Sequence, residues 1–431
     1  NLFTGPLYFL YKIISAINLS KELKTEYPDF NFVPVYWMAT EDHDFDEINY
    51  FNFNSKKFRW NRESSGPVGR LSTEGLADVL DVFSSELGEG TNAEKIKKLF
   101  HDAYLNHDSL SQATLFLANA LFGEYGLVII DADNTALKSL FIPFVKEELL
   151  QQTSSKKVLE STEKLKDYNV QVNPRDINLF YIEDHLRERI IFQNETFYVN
   201  KTDIKFSEKE MLSEIESHPE KFSPNVIMRP LYQEVILPNL CYIGGGGELA
   251  YWLELKSFFD AVNITFPVLL LRNSVLIATE KQAKKADKLN LTWKDLFMKQ
   301  SDLTNKKIKN FSEFTIDFSE QKKFLRQQFD NLHNIASKTD PSFSGAVKAQ
   351  ETKQLKGLEN LEKRLLKAEK RKHSEELERI TDLQNELFPI KSLQERQTNF
   401  SEFYIPNGNA LISRLLDSLK PLENNFDVII F

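Results

Sequence analysis

Three short runs of apolar residues, each close to segments with helical periodicity, constrain the fold more than any other feature of the sequence. The runs lie at 32–38, 127–131 and 268–271. A short continuous apolar run is typical of a strand that is buried on both faces, as in a parallel sheet. Strands that alternate with helices in this way predict an α/β fold with a parallel sheet. The helical segments nearest the first two runs are 7–26, 92–122 and 135–151.

Two later stretches of the chain depart from this alternation. Between 176 and 200, short strand candidates follow one another closely, which predicts a small antiparallel insertion on the core. Between 315 and 388, apolar residues recur three and four positions apart among dense Lys and Glu, which predicts a helical hairpin with coiled-coil character. The apolar spacing slips between Ala368 and Leu377, and Pro389 ends the second helix.

These patterns divide the chain into an α/β core with two insertions. Because residue 1 is Asn and the chain opens directly on a turn that reads as the inside of a domain, we also expect an N-terminal segment to precede it. The predicted segments are 1–175 (first part of the core), 176–223 (antiparallel insertion), 224–314 (second part of the core), 315–388 (hairpin) and 389–431 (a C-terminal segment that returns to the core).

Charge and cysteine content exclude several functional classes. The formal net charge is -9, which disfavours general nucleic-acid binding because that function requires a basic surface. Cys241 is the only cysteine, so the chain forms no intrachain disulfide and no cysteine-based metal cluster, as expected for the reducing cytoplasm. No apolar run approaches the ~20 residues that span a bilayer, so we expect no membrane partner.

The densest group of candidate functional residues is the acidic block 41–47, Glu-Asp-His-Asp-Phe-Asp-Glu, which follows the first predicted strand. Ligands of α/β sheets bind outside the carboxyl ends of the strands. Carboxylates packed so densely need a cation, a bound amine or a raised pKa to coexist. The block predicts recognition of an amine, acid–base chemistry or a divalent metal, and a solvated loop that caps the next helix is the alternative. The candidate catalytic residues are Glu41, Asp42, His43 and Asp44, and Glu47 is a candidate substrate ligand.

A second candidate site is the run of four glycines at 244–247, between a predicted strand and a predicted helix. Glycines let a ligand approach the backbone closely, and the N–H groups at a helix start bind phosphate or carboxylate. The run is neither a Walker loop nor a dinucleotide fingerprint, and a tight strand-to-helix turn is the alternative. The candidate substrate ligands here are Gly244, Gly245, Gly246, Gly247, Glu248 and Tyr251.

Arginines follow two further candidate strands. Arg229, and Arg272 with its neighbour Asn273, suit a bidentate contact with a carboxylate or phosphate, and a structural ion pair is an equal alternative. Asp131 and Asp133 end the second apolar run, where they would bind a hydroxyl or a cation, and capping of the next helix by Asp133 is at least as well supported.

Two turns complete the set of candidates. Thr4 and Gly5 lead into the first helix, where simple capping is the alternative to ligand binding. Gln394, Glu395 and Arg396 follow the hairpin as a docking segment or a nucleotide contact, and their signal is unspecific.

Several of these blocks together resemble the cysteine ligase family of bacillithiol biosynthesis, also called the bacillithiol synthase family. The Glu-Asp-His-Asp block after a hydrophobic strand is the most specific of them, and the resemblance extends over essentially the whole chain. The stretches that carry it are 2–8, 35–47, 126–133, 244–255, 387–389 and 393–396.

The resemblance implies a Rossmann-like core related to nucleotidyltransferases, small inserted subdomains, and a C-terminal coiled-coil hairpin through which the family forms homodimers. It implies a ligase that joins cysteine to the amine of glucosaminyl-malate by an amide bond, with ADP or ATP as a nucleotide ligand and no metal. Two features depart from the family. Its first core strand and a Thr-Gly-Gln-Gln-like turn would precede residue 1, and a Pro commonly interrupts the glycine run that is unbroken here.

The resemblance also implies roles for individual residues. The acidic block around Glu41 to Asp44 would hold the ammonium of cysteine or the sugar amine, and His43 would manage protons as the amine attacks an activated carboxyl. The glycine turn, with Arg229 or Arg272, would hold a carboxylate or a phosphate.

Two other functional classes remain open from the sequence. A non-catalytic nucleotide-binding or assembly protein would use the hairpin, but it has no use for a costly acidic cluster. The acidic balance disfavours an aminoacyl-tRNA-synthetase-like enzyme, and neither its His-x-Gly-His nor its Lys-Met-Ser-Lys-Ser block occurs in residues 1–431, although the first would fit in a segment before residue 1. The acidic block therefore favours the ligase.

Overall fold

The computed structural model describes residues 1–431, which contain nineteen α-helices and thirteen short strands. The helices are α1 (Tyr8–Glu26), α2 (Phe45–Ile48), α3 (Leu76–Leu87), α4 (Thr91–Tyr104), α5 (Leu110–Phe122), α6 (Thr135–Gln151), α7 (Thr153–Lys164), α8 (Glu208–Ser217), α9 (Met228–Ile236), α10 (Gly246–Leu253), α11 (Lys256–Ala261), α12 (Glu280–Lys288), α13 (Trp293–Leu296), α14 (Gln300–Phe311), α15 (Ser319–Ala336), α16 (Pro341–Lys372), α17 (Ser374–Leu387), α18 (Ser401–Asn407) and α19 (Ala410–Ser418). The strands are β1 (Val35–Met38), β2 (Tyr50–Phe53), β3 (Lys56–Arg59), β4 (Val128–Asp131), β5 (Leu179–Glu183), β6 (Leu186–Gln193), β7 (Thr196–Val199), β8 (Lys205–Ser207), β9 (Phe222–Pro224), β10 (Cys241–Gly244), β11 (Val268–Leu271), β12 (Ser274–Ala278) and β13 (Phe426–Ile430).

The chain forms two compact units, one made of residues 1–276 and 392–429 and the other of residues 277–391 and 430–431. The first unit holds the α/β core and its insertions, and the second holds the long helices α15 and α16. No helix combines the length and the apolar character that crossing a membrane requires.

Two pairs of parallel strands form the centre of the first unit. β1 pairs with β4, with Met38 opposite Asp131, and β10 pairs with β11, with Gly244 opposite Leu271. Because parallel neighbours end at the same edge, the acidic block and Asp131 meet at one edge, and the glycine run and Arg272 meet at another. The predicted α/β core with parallel strands is confirmed, although the strands form two separate pairs.

An antiparallel sheet with the strand order β8-β7-β6-β5-β9 lies between the two parallel pairs in sequence. The sequence predicted its three central strands and missed the two outer ones, which are only three residues long. Apolar residues of this sheet, such as Ile190 on β6 and Phe197 on β7, are buried in the same core as the helices around β4 and β10. The sheet is therefore packed against the α/β core, and its β5–β6 hairpin borders the acidic block.

Two predicted helices are each divided in the structure. The segment 92–122 contains α4 and α5, because the polar residues 106–109 end one helix and Ser109 caps the next by accepting a hydrogen bond from the amide of Gln112. The predicted second helix of the hairpin breaks at His373, within the interval where the apolar spacing slips. A helix that continued straight through residue 373 could not keep the apolar residues before and after it packed against their different partner helices.

The second unit has small hydrophobic clusters along its helices. Phe329, Ala336 and Val347 are buried between α15 and α16, and Leu377 on α17 is buried with Ile308 on α14. The long helices α15 and α16 thus form the antiparallel hairpin that the heptad-like spacing predicted, and α17 packs on a different helix.

Candidate active site

The loop after β1 is fixed by contacts from β4 and from the segment around Val68. Thr40 Oγ1 donates a hydrogen bond to Asp131 Oδ1 at 2.5 Å, which joins the ends of the two parallel strands. The amides of Val68 and Gly69 donate to the carbonyl oxygens of Asp42 and Thr40 at 2.7 and 2.8 Å. The backbone of the acidic block is therefore held on two sides before any ligand binds.

We expect Gly69→Ala to destabilise the protein by about 1–3 kcal/mol, as overpacking of a close contact does. A Cβ atom at this position would lie 2.5 Å from Thr40 Cβ and 2.8 Å from Thr40 O, so the loop would have to shift. Chemical denaturation measures the change in free energy of unfolding. Gly246→Ala is the matched control, because its Cβ would meet no atom within 4 Å. An equal loss in both variants would contradict the packing argument.

A buried network of charges lies beneath the acidic block. Lys138 on α6, whose side chain is 3% exposed, places Nζ 2.6 Å from Glu41 Oε1 and 3.0 Å from Asp133 Oδ1. Arg70 completes the network with two hydrogen bonds to Asp133, at 2.7 and 2.9 Å. Its other arm reaches Asp184 at 3.3 Å. The carboxylates of Glu41 and Asp133 are thus compensated by the cations of Lys138 and Arg70. This pairing offsets the free-energy cost of burying two acids close together.

The pKa values of the two buried carboxyls move in opposite directions. Burial raises the pKa of Glu41 above its ordinary value, and Lys138 only partly opposes this effect. Burial also acts to raise the pKa of Asp133, but the hydrogen bonds from Arg70 and the charge of Lys138 outweigh it, so this pKa is lowered. Asp133 is therefore the fixed anion of the network, and Glu41 is the carboxyl that protonates more readily.

Of the two alternatives that the sequence left open for Asp133, helix capping is wrong. Asn134 caps α6 instead, since its side chain accepts from the amides of Ala136 and Leu137. Asp133 is turned toward the two cations of the network, where a carboxylate is stabilised more strongly than at a helix start.

His43 lies at the surface of the same strand end and contacts the inserted sheet. Its Nδ1 is 2.6 Å from Nη1 of Arg187 on β6, and 3.5 Å from Oδ1 of Asp42. The guanidinium of Arg187 packs over the ring of Phe180 at 4.0 Å, and the His43 ring lies 5.9 Å from the same ring. The His43 side chain is 50% exposed, so its outer edge is open to a substrate.

The later acids of the block point away from this group. Asp44 is the N-cap of α2 and accepts a hydrogen bond from the amide of Glu47 at 3.2 Å. Asp46 forms a surface ion pair with Arg59. The side chain of Glu47 is exposed. The alternative of an acidic loop that caps the next helix thus describes this half of the block, whereas Glu41 and Asp42 contact the cations Lys138 and Arg187.

The glycine run forms the turn between β10 and α10. Glu248 closes this turn by accepting from the amide of Gly245 at 2.8 Å, from Lys12 at 2.7 Å and from the hydroxyl of Tyr242 at 2.8 Å. Burial acts to raise the pKa of Glu248, but Lys12 and the Gly245 amide outweigh it, so the pKa is lowered. Cβ positions on Gly246 and Gly247 would meet no atom within 4 Å, so the backbone there is accessible to a ligand.

Arg229 lies close to the glycine turn but is engaged within the chain. It follows β9 and lies in the first turn of α9, and it donates to the hydroxyl of Tyr251 at 2.9 Å and to Gln233 Oε1 at 3.1 Å. Tyr232, one turn further along this helix, donates to the carbonyl of Ala132 at 2.8 Å. Helix α9 therefore connects the glycine turn with the end of β4.

Arg272 and Glu395 form a buried bidentate ion pair. The two guanidinium nitrogens lie 2.8 and 3.1 Å from the two carboxylate oxygens, and both side chains are almost fully buried. Asn273 is buried beside them and donates to the carbonyl oxygen of Lys420. The structural alternative to ligand binding thus describes Arg272 here. Gln394 is also buried, and Arg396 is exposed.

Thr4 and Gly5 lie in a strained turn below the surface. Phe3, Thr4 and Gly5 all have positive φ angles, and Asn399 holds the turn by donating to the carbonyl oxygens of Phe3 and Gly5 at 2.7 and 2.8 Å. Thr4 Oγ1 is buried and has no hydrogen-bond partner. The turn anchors the start of α1 to the C-terminal segment.

Cys241 is not an activated nucleophile in this fold. Burial raises the pKa of Cys241 to about 11, so its thiol is protonated at neutral pH and is a poor nucleophile. The structure brings no three His, Cys, Asp or Glu side chains into a group that could hold a metal ion.

Sequence reasoning missed the cations of the site. Lys138 was detectable, because it occupies a buried position of α6 in register with Phe141 and Val145, where a charge requires a buried partner. Arg70 and Arg187 carry no such signal. The first lies in a loop far from any predicted strand end, and the second comes from the inserted sheet.

Comparison with known proteins extends the sequence resemblance. Residues 1–273 match the model for "Bacillithiol biosynthesis BshC, N-terminal Rossmann-like domain", and residues 275–431 match "Bacillithiol biosynthesis BshC, C-terminal coiled-coil domain". A Flavobacterium johnsoniae protein named "Putative cysteine ligase BshC" is 70% identical over 429 residues, covering 100% of this chain and 81% of that protein. Proteins of the same name from Cytophaga hutchinsonii and Staphylococcus haemolyticus are 39% and 30% identical, over 99% and 100% of this chain and 80% and 82% of their own lengths.

Proposed function

The chain belongs to the BshC family of bacillithiol biosynthesis, and we propose that it is the cysteine ligase of that pathway, which joins the carboxyl of cysteine to the amine of glucosaminyl-malate. The observation that carries this proposal is the match of both family domains along the whole chain. The reaction uses a free thiol, so we place it in the reducing cytoplasm.

The amine subsite of this proposal lies at the joined ends of β1 and β4. Asp131 is partly exposed there and contacts only hydrogen-bond donors, Thr40 Oγ1 and the amide of Asp133. Asp42, two residues after Thr40 in the acidic block, is 53% exposed. Asp131 has no cationic partner, and the only cation near Asp42 apart from His43 is Arg187, whose Nη1 lies 3.8 Å from Asp42 Oδ1. An ammonium or amine is therefore the complementary ligand for this pair.

The carboxylate subsite of this proposal is the start of α10. The backbone at Gly246 and Gly247 is open, and helix starts favour anions. A polyphosphate, which carries several negative charges, fits this turn less well than a single carboxylate does, because Glu248 already places one carboxylate there and Lys12 is paired with it. ADP or ATP therefore stays a proposed ligand with no assigned residues, and titration calorimetry with ADP tests its binding.

Metabolite analysis of a deletion strain tests the proposed reaction. We expect loss of the gene to abolish bacillithiol and to cause glucosaminyl-malate to accumulate, and we expect the intact gene to reverse both changes. Unchanged bacillithiol in the deletion strain would reject the cysteine ligase.

We also propose that α15 and α16 bind a second copy of the chain. Phe324 and Ile335 lie eleven positions apart on α15, about three helical turns, so they share one face. They are 62% and 56% exposed, and Phe343 and Leu361 on α16 are exposed as well. Apolar residues in the core of the hairpin, such as Phe329, do not cover them. A second hairpin offers a matching apolar face.

Substitution of this face should convert a dimer into a monomer. We expect the double variant Phe324→Glu/Ile335→Glu to sediment at half the mass of the unmodified protein, because buried carboxylates at the interface are strongly unfavourable. Arg326→Glu is the control, since Arg326 is exposed and lies about 200° around the same helix from Phe324. A monomeric unmodified protein, or a dimeric double variant, would contradict the proposal.

A further inference from the structure

The contact between Arg187 and His43 carries an inference about the chemical form of the histidine. The two atoms involved are Arg187 Nη1 and His43 Nδ1, and they lie 2.6 Å apart. A guanidinium has five N–H donors and no acceptor. The lone pair in this hydrogen bond must therefore belong to Nδ1, and the proton of the neutral ring must lie on Nε2.

We propose that Arg187 is a positioning residue that holds His43 as the Nε2–H tautomer, so that His43 meets the substrate as a hydrogen-bond donor. The outer half of the ring is exposed, so the Nε2–H group is available to an oxygen acceptor. The chemical class of that acceptor is a carbonyl or carboxylate oxygen of the substrate. This part rests on the proposed ligase function, whereas the tautomer itself does not.

The surroundings of Arg187 support a fixed role. Its side chain is only 8% exposed, and Phe180 covers the face of the guanidinium at 4.0 Å. Its Nε is buried without a hydrogen-bond partner, so His43 is the principal acceptor for this cation. Burial lowers the pKa of Arg187, and Asp42 and Glu41 oppose this effect. The residue remains a cation, and His43 is the nearer of its two acceptors, since the Asp42 carboxylate lies 3.8 Å from Nη1.

Asp42 is the competing partner for Nδ1. If Nδ1 carried the proton, it would donate to Asp42 Oδ1, which is 3.5 Å away and already accepts the His43 amide at 2.7 Å. The same proton would then point toward the Nη1 hydrogens of Arg187 at 2.6 Å. The shorter contact therefore decides the tautomer, because 3.5 Å exceeds the usual hydrogen-bond range.

A neutral imidazole donor suits the proposed amide formation. As an amine attacks a carboxyl carbon, negative charge develops on the carbonyl oxygen, and a preorganised N–H donor stabilises that charge. A neutral histidine can serve as such a donor. To act as a base through Nε2, His43 would have to move its proton to Nδ1 and lose the hydrogen bond from Arg187. The geometry therefore assigns proton removal from the amine to another group.

Nitrogen NMR of the full chain labelled with ¹⁵N-histidine tests the tautomer directly. The chain has seven histidines, and the signals of His43 are identified by their loss in His43→Gln. At mildly alkaline pH, we expect Nε2 of His43 to carry the proton and Nδ1 to be unprotonated. A proton on Nδ1 in the unmodified protein would overturn the proposal, whether or not the ligase function is correct.

Variants at position 187 test the cause of the tautomer. We expect Arg187→Met to shift the His43 signals toward the Nδ1–H form and Arg187→Lys, which keeps a cationic donor, to preserve them. Arg189→Met is the matched control, because Arg189 lies two positions along β6 and makes no hydrogen bond to His43. An unchanged tautomer in a folded Arg187→Met protein would overturn the positioning role.

Enzymatic variants test the donor role. Glutamine keeps an N–H donor near the place of Nε2 but cannot act as a base. We therefore expect His43→Gln to form bacillithiol roughly tenfold faster than His43→Leu. Equal rates of the two variants, with an active unmodified enzyme, would reject the donor role while leaving the ligase function intact.

Discussion

Lys138→Met should lower the free energy of unfolding by about 3–5 kcal/mol, because it leaves Glu41 buried without its cation. Methionine preserves most of the length of the side chain, so lost packing contributes little. Asp133 retains Arg70 after the substitution, so the loss reports on Glu41 and on the hydrogen bond from Lys138 to the Glu220 carbonyl. Denaturation by urea measures it.

Lys146→Met is the control on the same helix. Lys146 forms an ion pair with Glu216, but that pair is partly exposed to solvent, and such pairs contribute about 0–1 kcal/mol. The double variant Lys138→Met/Glu41→Gln should recover part of the lost stability, because it removes the uncompensated charge. Equal effects of the two lysine substitutions would show that the buried network does not stabilise the fold.

The effect of Lys138→Met should also depend on pH. Burial raises the folded-state pKa of Glu41 above the ordinary value of 4.5, and Lys138 opposes that rise. A carboxyl with a raised folded-state pKa stabilises the fold fully below its unfolded pKa, and this contribution is lost as pH rises through the folded pKa. Removal of Lys138 raises that pKa further. The destabilisation should therefore shrink between about pH 7 and about pH 5, and a constant loss would argue against a charged Glu41.

Glu395→Gln should cost a similar amount, about 3–5 kcal/mol, since it leaves the buried guanidinium of Arg272 without a counter-charge. The amide also turns N–H donors toward Arg272 and toward the amide of Val275, which donates to Glu395 in the unmodified protein. Thermal and urea denaturation without any ligand measure the effect. Arg396→Gln is the adjacent control, and an exposed side chain there should change stability by less than about 0.5 kcal/mol.

The outcome separates two roles for this pair. A large loss of stability without ligand would establish Arg272 and Glu395 as a structural clamp between β11 and the segment at 394–396. Unchanged stability combined with impaired bacillithiol formation would instead return both residues to the substrate or nucleotide site that the sequence predicted for them.

The sequence by itself determined the α/β core and the hairpin. Short apolar runs, and apolar residues that recur every three or four positions, are local signals, because each pattern reflects the burial of its own strand or helix. The strand β11 and the helix α6 have the predicted bounds, and the parallel pairing of β1 with β4 follows from their alternation with helices. The Glu-Asp-His-Asp block at the end of β1 was specific enough to indicate the family.

Only the tertiary structure decided which charged residues act together. Lys138 meets Glu41 across 97 positions, and Arg187 meets His43 across 144, so no local pattern in the sequence could reveal either pair. The same limit explains why the sequence left Arg272 open between a ligand contact and an ion pair, since its partner Glu395 lies 123 positions away. A charged side chain at a strand end can bind a ligand or form an ion pair within the chain. Only the distance to its partner in the folded protein distinguishes these two roles.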